Sequence, residues 1–158
     1  MFTKIKNVFC KKQSAKYVSG MFADVNEKKP CFENLKYVYE NKLVLPVAKN
    51  KMAPSKKVTV KDALESVCNL YAFVNGIKFK GDALEFAKQN KIVCDDSFDN
   101  VERNIFRIEL AKLVYAAIKD IDKINDIDTV CDIAKGNKDE SKVLALLRAG
   151  VMPGEDDC

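Results

Sequence analysis

Apolar residues recur at helical spacing in two kinds of segment, one short and one long, which alternate along the chain. Residues 33 to 42, ENLKYVYENK, place Leu35, Val38 and Tyr39 at i, i+3 and i+4, the stripe of a short amphipathic helix. The stretch LVLPVAKNKMAPSKK then breaks the pattern with two prolines and a lysine-rich loop. Thr59 follows as an N-cap, and Asp62 in the first turn completes a capping-box-like pair. From there KDALESVCNLYAFV turns Ala63, Leu64, Val67, Cys68, Leu70 and Tyr71 to one side until Gly76 ends the helix. One unit therefore reads helix, loop, helix.

The same order returns once in full and once in part. GDALEFAKQNKIV, residues 81 to 93, predicts a short helix with Ala83, Leu84 and Ala87 on one side, and the loop CDDSFDNVERN leads into a long helix, IFRIELAKLVYAAI. Ile105, Ile108, Leu110, Ala111, Val114, Tyr115 and Ile118 are its apolar positions. A third unit opens with INDIDTVCDIAKGNKDESKVLALLRAG, has its short helix at about 140 to 149, and runs out in VMPGEDDC without a second helix. The apolar pairs that close the short helices, Leu43-Val44, Ile92-Val93 and Val151-Met152, mark the repeat, as does the motif of an acid and a β-branched residue at Asp24-Val25 and Asp132-Ile133. Units that cannot bury their apolar faces alone must cover one another. The expected open end is the third unit, whose Val143, Leu144, Leu146 and Leu147 face would be left for a partner or a second copy.

Composition narrows the function classes. The chain has 158 residues and 47% apolar content, enough for one domain with a core or a few small units sharing one. No apolar run is long enough to span a bilayer, so membrane insertion is not expected. The N-terminus also lacks the apolar stretch of a secretory signal, which, taken literally, starts the protein in the cytoplasm. Residues 1 to 61 carry fourteen Lys/Arg against four Asp/Glu, and residues 62 to 158 thirteen against nineteen, so the first part is about +10 and the rest about −6. Such a basic half either meets an anionic polymer or solvates a helical surface. No nucleic-acid-reading module accompanies it, and nucleic acid is not an expected partner.

Six cysteines (10, 31, 68, 94, 131 and 158) form no C-x-x-C pair, and the chain has no histidine to complete a mixed zinc site. They read as buried or free thiols, with a disulfide framework as the alternative. The acidic stretches CDDSFD and GEDDC lack the alternating oxygen ligands of a calcium loop, so neither metal nor cofactor is expected. Without histidine, a phosphate loop or paired carboxylates away from capping positions, the reading is a non-enzyme.

These motifs in this order resemble the S-layer homology repeat, a module of some fifty residues that usually comes in threes. The first unit matches it as FADV (22 to 25), NKLV (41 to 44), MAP (52 to 54) and VTVKDA (58 to 63). The second matches as GDALEFAKQNKIV and IFRIELAKLV, where Ile105, Arg107 and Glu109 stand at the Ile, Arg and Glu of the family's I-T-R-A-E motif. The third matches as INDIDTVCDIA and LLRAGVMPG, with Gly150 and Gly154 as turn glycines. The implied organisation is a basic segment at 1–20, repeats at 21–76 and 77–121, and a partial repeat at 122–158. The implied fold is an all-α, pseudo-threefold spindle whose third repeat is incomplete.

The resemblance implies a module of the bacterial cell surface that binds an anionic, often pyruvylated, cell-wall polysaccharide in grooves between its prongs. A protein–protein or self-association adaptor on the same scaffold is the alternative. Glycan-binding residues by this resemblance are Arg107 and Glu109, with Thr59, Lys61 and Asp62 in the first unit and Phe32 as the nearest stand-in for an aromatic usually found near the short helix. In the first unit Val60 replaces the motif arginine and Asp62 the glutamate. Asp24 and Asp132 are expected to fix the turn into each short helix by accepting backbone N–H bonds. Two readings stay open at the start of the second long helix. In one, Glu109 complements the helix N-terminus and Arg107 only covers the surface; in the other, Arg107 grips a carboxylate. Tyr37, Tyr39, Phe79, Phe86 and Phe98 are either core or sugar-stacking platforms.

Overall fold

A computed structural model describes residues 15–118 and 136–151. Over this span the protein is helical: α1 Phe32–Glu40, α2 Val60–Asn75, α3 Ala83–Gln89, α4 Arg107–Ile118 and α5 Glu140–Arg148, with a 3-10 turn at Asp96–Phe98. Among the described residues there is no strand, only isolated bridges at Ala48–Lys51 and Thr59–Asn104. The alternation of short and long helices follows the apolar spacing, and α2 begins and ends at the expected residues. Thr59 Oγ1 accepts the Asp62 N–H at 3.1 Å, and Gly76 ends the helix with φ 68°. Asp132, Gly154, Cys10, Cys131 and Cys158 lie outside the described residues.

The three short helices finish in one and the same way. Lys42 (φ 56°), Lys91 (φ 58°) and Gly150 (φ 65°) each adopt the left-handed conformation. The following N–H then reaches back five residues: Leu43 to Val38 O at 2.8 Å, Ile92 to Ala87 O at 2.9 Å and Val151 to Leu146 O at 2.9 Å. Asn41 and Asn90 add matching side-chain bonds, each Nδ2 donating at 2.9 Å to the carbonyl four residues before it. The turn folds the apolar pair back under the helix, which is why Leu43, Ile92 and Val93 are buried. Only the third copy has glycine, the residue that takes positive φ without a Cβ clash. Lys91→Gly should therefore stabilise the protein by about 0.5–1 kcal/mol. Thermal melting should show a rise of about 2–4 °C per kcal/mol gained, and an unchanged or lower Tm would contradict the strain assigned to Lys91.

Packing follows the chain, each later short helix lying on the long helix of the unit before it: α3 on α2, and α5 on α4, while α2 and α4 pack together. The main core joins Val60, Leu64, Val67 and Cys68 of α2 with Ala87 of α3, Phe98, and Leu113 and Ala117 of α4. A second cluster sets Val143, Leu146 and Leu147 of α5 against Ala111, Ile108 and Val114 of α4. A third, aromatic cluster holds Tyr17, Phe22 and Met52 against Phe32, Leu35 and Tyr39. Helix α4 thus serves two clusters, which accounts for its being apolar nearly all round.

Two expectations change. The α5 face expected to stand open is covered: Leu146 is 0% exposed, Val143 and Leu147 are buried, and Leu144 is half-buried. Helix α4 has an apolar side left over from its contact with α2, and α5 fills it, so the patch that favoured an adaptor or self-association is gone. Asp24 does accept backbone N–H bonds, but not at the turn into α1. Its carboxylate reaches the loop after α1, taking Met52 N–H at 3.0 Å and Ala53 N–H at 2.7 Å. The tight Ala48–Lys51 turn and the positive φ of Ala53 (50°) leave those two donors without a backbone acceptor, and the acid supplies one. The Met52 and Ala53 bonds hold the Asp24 carboxyl below its usual range.

Candidate functional site

The starts of α2 and α4 meet across the Thr59–Asn104 bridge, which brings residues 58–61 beside residues 101–105. Val60 N–H donates to Arg103 O and Lys61 N–H to Val101 O, both at 2.9 Å, and Ile105 N–H donates to Val58 O at 3.0 Å. With Asp62 N–H bonded to Thr59 Oγ1, the first donors of α2 are all taken from within the protein. Asp62 sits half-buried and pairs with Lys56 at 3.4 Å. Burial pushes its carboxyl up, but the bonds from Thr59 and Lys56 outweigh that and leave it below the usual range. In the first unit, Thr59 and Asp62 therefore work as helix-starting residues.

At α4 the same positions carry different chemistry. Phe106 precedes the helix and its carbonyl accepts Leu110 N–H at 3.0 Å, which is the capping position. Glu109 reaches back and accepts Phe106 N–H at 2.9 Å, one half of a capping box. The other half is missing, since a phenyl ring accepts no hydrogen bond, and a hydroxyl there contributes typically about 1 kcal/mol. Phe106 is 68% exposed, the highest value among the described large apolar residues. Arg107, next in the chain, is exposed on the first turn.

Glu109 has a partner that sequence reasoning did not find. Arg103 Nη1 and Nη2 donate to its two carboxylate oxygens at 2.8 and 2.7 Å, a bidentate pair with side chains 27% and 16% exposed. The same guanidinium donates to Ser97 O at 2.9 Å and Asn104 O at 3.1 Å. Spacing alone could not reveal this pair, because Arg103 lies in a loop whose path depends on the bridge to α2. Arg103, and with it the Phe106 N–H, holds the Glu109 carboxyl below the usual glutamate range. A depressed acid contributes stability above the unfolded glutamate pKa and loses it as pH falls through the folded one. Glu109→Gln should cost about 1–2 kcal/mol at neutral pH, solvent screening keeping it below a buried pair. The deficit should shrink below about pH 4.5 as the wild type loses its own contribution. Urea titrations at pH 7 and pH 3.5 measure both, and a deficit independent of pH would contradict the assignment.

Between α2 and α3 lies a cavity of about 180 Å³, lined by Lys61, Glu65 and Asp82 over a floor of Leu64, Leu84 and Val101. Lys61 is exposed and shares the lining with two carboxylates. Beneath it Cys68 is buried, and its Sγ donates to Ala83 O at 3.3 Å. Burial, helped by Asp82 and Glu65, pushes the thiol up to about 12, so Cys68 is a packed hydrophobe and not a nucleophile. Cys31 and Cys94 are free and exposed. Phe32 belongs to the aromatic cluster, its ring edge-on to Tyr17 at 5.2 Å. Tyr39, Phe79, Phe86 and Phe98 likewise pack in clusters. Glu27, which the sequence did not single out, accepts from Tyr17 Oη, Ser19 Oγ and Gly20 N–H at 2.7–2.9 Å. It fixes the approach to the first unit.

The described residues contain no cluster of metal-ligating side chains, and no described helix is long and apolar enough to cross a membrane. Compared with the known protein families and with curated proteins, the chain matches none of them.

Proposed function

We propose that this chain is a non-catalytic anchoring module of a bacterial cell surface, holding an anionic, often pyruvylated, secondary cell-wall polysaccharide without covalent chemistry. The observation that carries the reading is Arg107, exposed on the first turn of α4 where the repeat motif has its arginine, beside an acid already neutralised by Arg103. A carboxylate arriving there meets a guanidinium that offers paired donors, and Glu109 does not repel it because its charge is compensated. The recurring end of the short helices and the order of packing support a repeat scaffold, the pseudo-threefold spindle with an incomplete third repeat.

Lys61 is the weaker site. Val60 stands in for the arginine there, and Glu65, one turn along α2, and Asp82, which also line the cavity, oppose an anion. Binding is therefore expected at one site per chain, centred on Arg107, and weakened by salt. Purified protein should co-sediment with purified pyruvylated wall polysaccharide at low salt. Arg107→Ala should weaken binding about tenfold, and Lys61→Ala should change it by no more than about twofold. Failure of the wild type to sediment with the glycan would overturn the reading.

A further inference from the structure

We infer that the Phe106 ring is the platform on which a pyranose ring of the glycan stacks, next to the arginine that holds its charge. This rests on the glycan-binding reading above and assigns the stacking role to the residue that stands where the motif has its threonine.

Three observations carry the inference. The first is placement: α2 has Thr59 at the capping position and uses its hydroxyl there, whereas α4 has a phenyl ring that caps nothing and stands 68% exposed. The second is rigidity. The Phe106 N–H is bonded to Glu109, its carbonyl to Leu110 N–H, and the Arg103 guanidinium lies 6.0 Å from the ring centroid. Arg103 is itself fixed by bonds to Ser97 O, Asn104 O and both Glu109 oxygens. The backbone that carries the ring is therefore fixed and Arg103 lies over one face of it, so less freedom is lost when a ligand covers the other.

The third observation is the surround. Glu102, Asn104 and Arg107, near it in the chain, are exposed and polar, and Val58, whose carbonyl accepts the Ile105 N–H, is 45% exposed, so polar side chains outnumber apolar ones about the ring. A protein partner would need a contiguous apolar patch. A sugar needs one disc, since one face of a pyranose presents axial C–H groups that lie flat on the electron-rich face of an aromatic, and its rim of hydroxyls hydrogen-bonds outward. The aromatic expected at Phe32 is spent inside the first cluster, and Phe106 supplies the exposed ring in its stead.

The test uses the whole chain, the pyruvylated polysaccharide and the same polysaccharide with pyruvyl groups removed by mild acid. Phe106→Thr replaces the ring with the capping hydroxyl of α2, so the variant should melt no lower than wild type, and circular dichroism checks this. It should bind both glycans about tenfold more weakly than wild type, because stacking is independent of the charge. Phe106→Tyr should stay within about twofold, and Arg107→Ala should remove only the preference for the pyruvylated form. Phe106→Thr binding both glycans like wild type overturns this inference while leaving the anchoring function intact. A wild type that binds neither glycan removes both.

Discussion

Leu113→Ala should remove about 2–5 kcal/mol of stability, toward the upper end of that range. Leu113 is 0% exposed in the main core, on the helix that packs against α2 on one side and α5 on the other. Truncation forfeits the transfer energy of the removed atoms, and α4 cannot settle into the gap without leaving α5, so the cavity persists. Since small domains are stable by only about 5–15 kcal/mol in all, much of the margin goes. Urea denaturation should show a lower midpoint at unchanged slope. Tyr115→Ala serves as the control on the same helix: this ring is 37% exposed and its loss should cost under about 1 kcal/mol. A Leu113→Ala deficit below that control would mean that α4 is not the central helix.

Leu146→Ala should cost about 2–4 kcal/mol and should do so in a single transition. Leu146 is fully buried against α4, beside Ala111, whose small side chain lets the helices approach. Lys112 of α4 reinforces the contact by pairing at 3.6 Å with the buried Asp139 at the start of α5, an acid that Lys142 of α5 also pairs at 2.8 Å. Helix α5 has nine residues, too few to persist alone in water, so its stability is that of its contact with α4. If the third unit is part of one cooperative structure, the substitution moves the whole melting curve. A second, earlier transition confined to α5 would instead show that the unit folds apart from the first two, and the shared-core account of the repeats would fail.

The α5 contact also shows where sequence reasoning stopped. Spacing gave the helix at about 140 to 149 and its apolar side, but a pattern states only that a side must be covered, not what covers it. A third unit read as incomplete leads one to expect an exposed face; the exposure depends on whether α4 has apolar area to spare, and that is a property of α4 in place. Asp24 failed in the same manner. Its tendency to accept N–H bonds is intrinsic to a carboxylate near backbone donors, while the choice of Met52 and Ala53 follows from a turn 28 residues away closing onto it. In the candidate site, Arg107 and Glu109 were singled out by the resemblance alone. Arg103 was not, since nothing local ties a loop arginine to an acid six residues on, and Phe106 drew no notice as one more apolar residue in a long helix.

What the sequence determined by itself is what short-range physics controls. The period of apolar residues, the Thr59 hydroxyl, Gly76, and the NKLV and NKIV helix endings set where helices start and stop, because each acts within one or two turns of its own position. Tertiary structure alone decided which faces meet, which carboxylate meets which donor, and which aromatic is left in water. Those outcomes depend on contacts between segments far apart in the chain, and burial is a property of the assembled surfaces, so no local stretch encodes them.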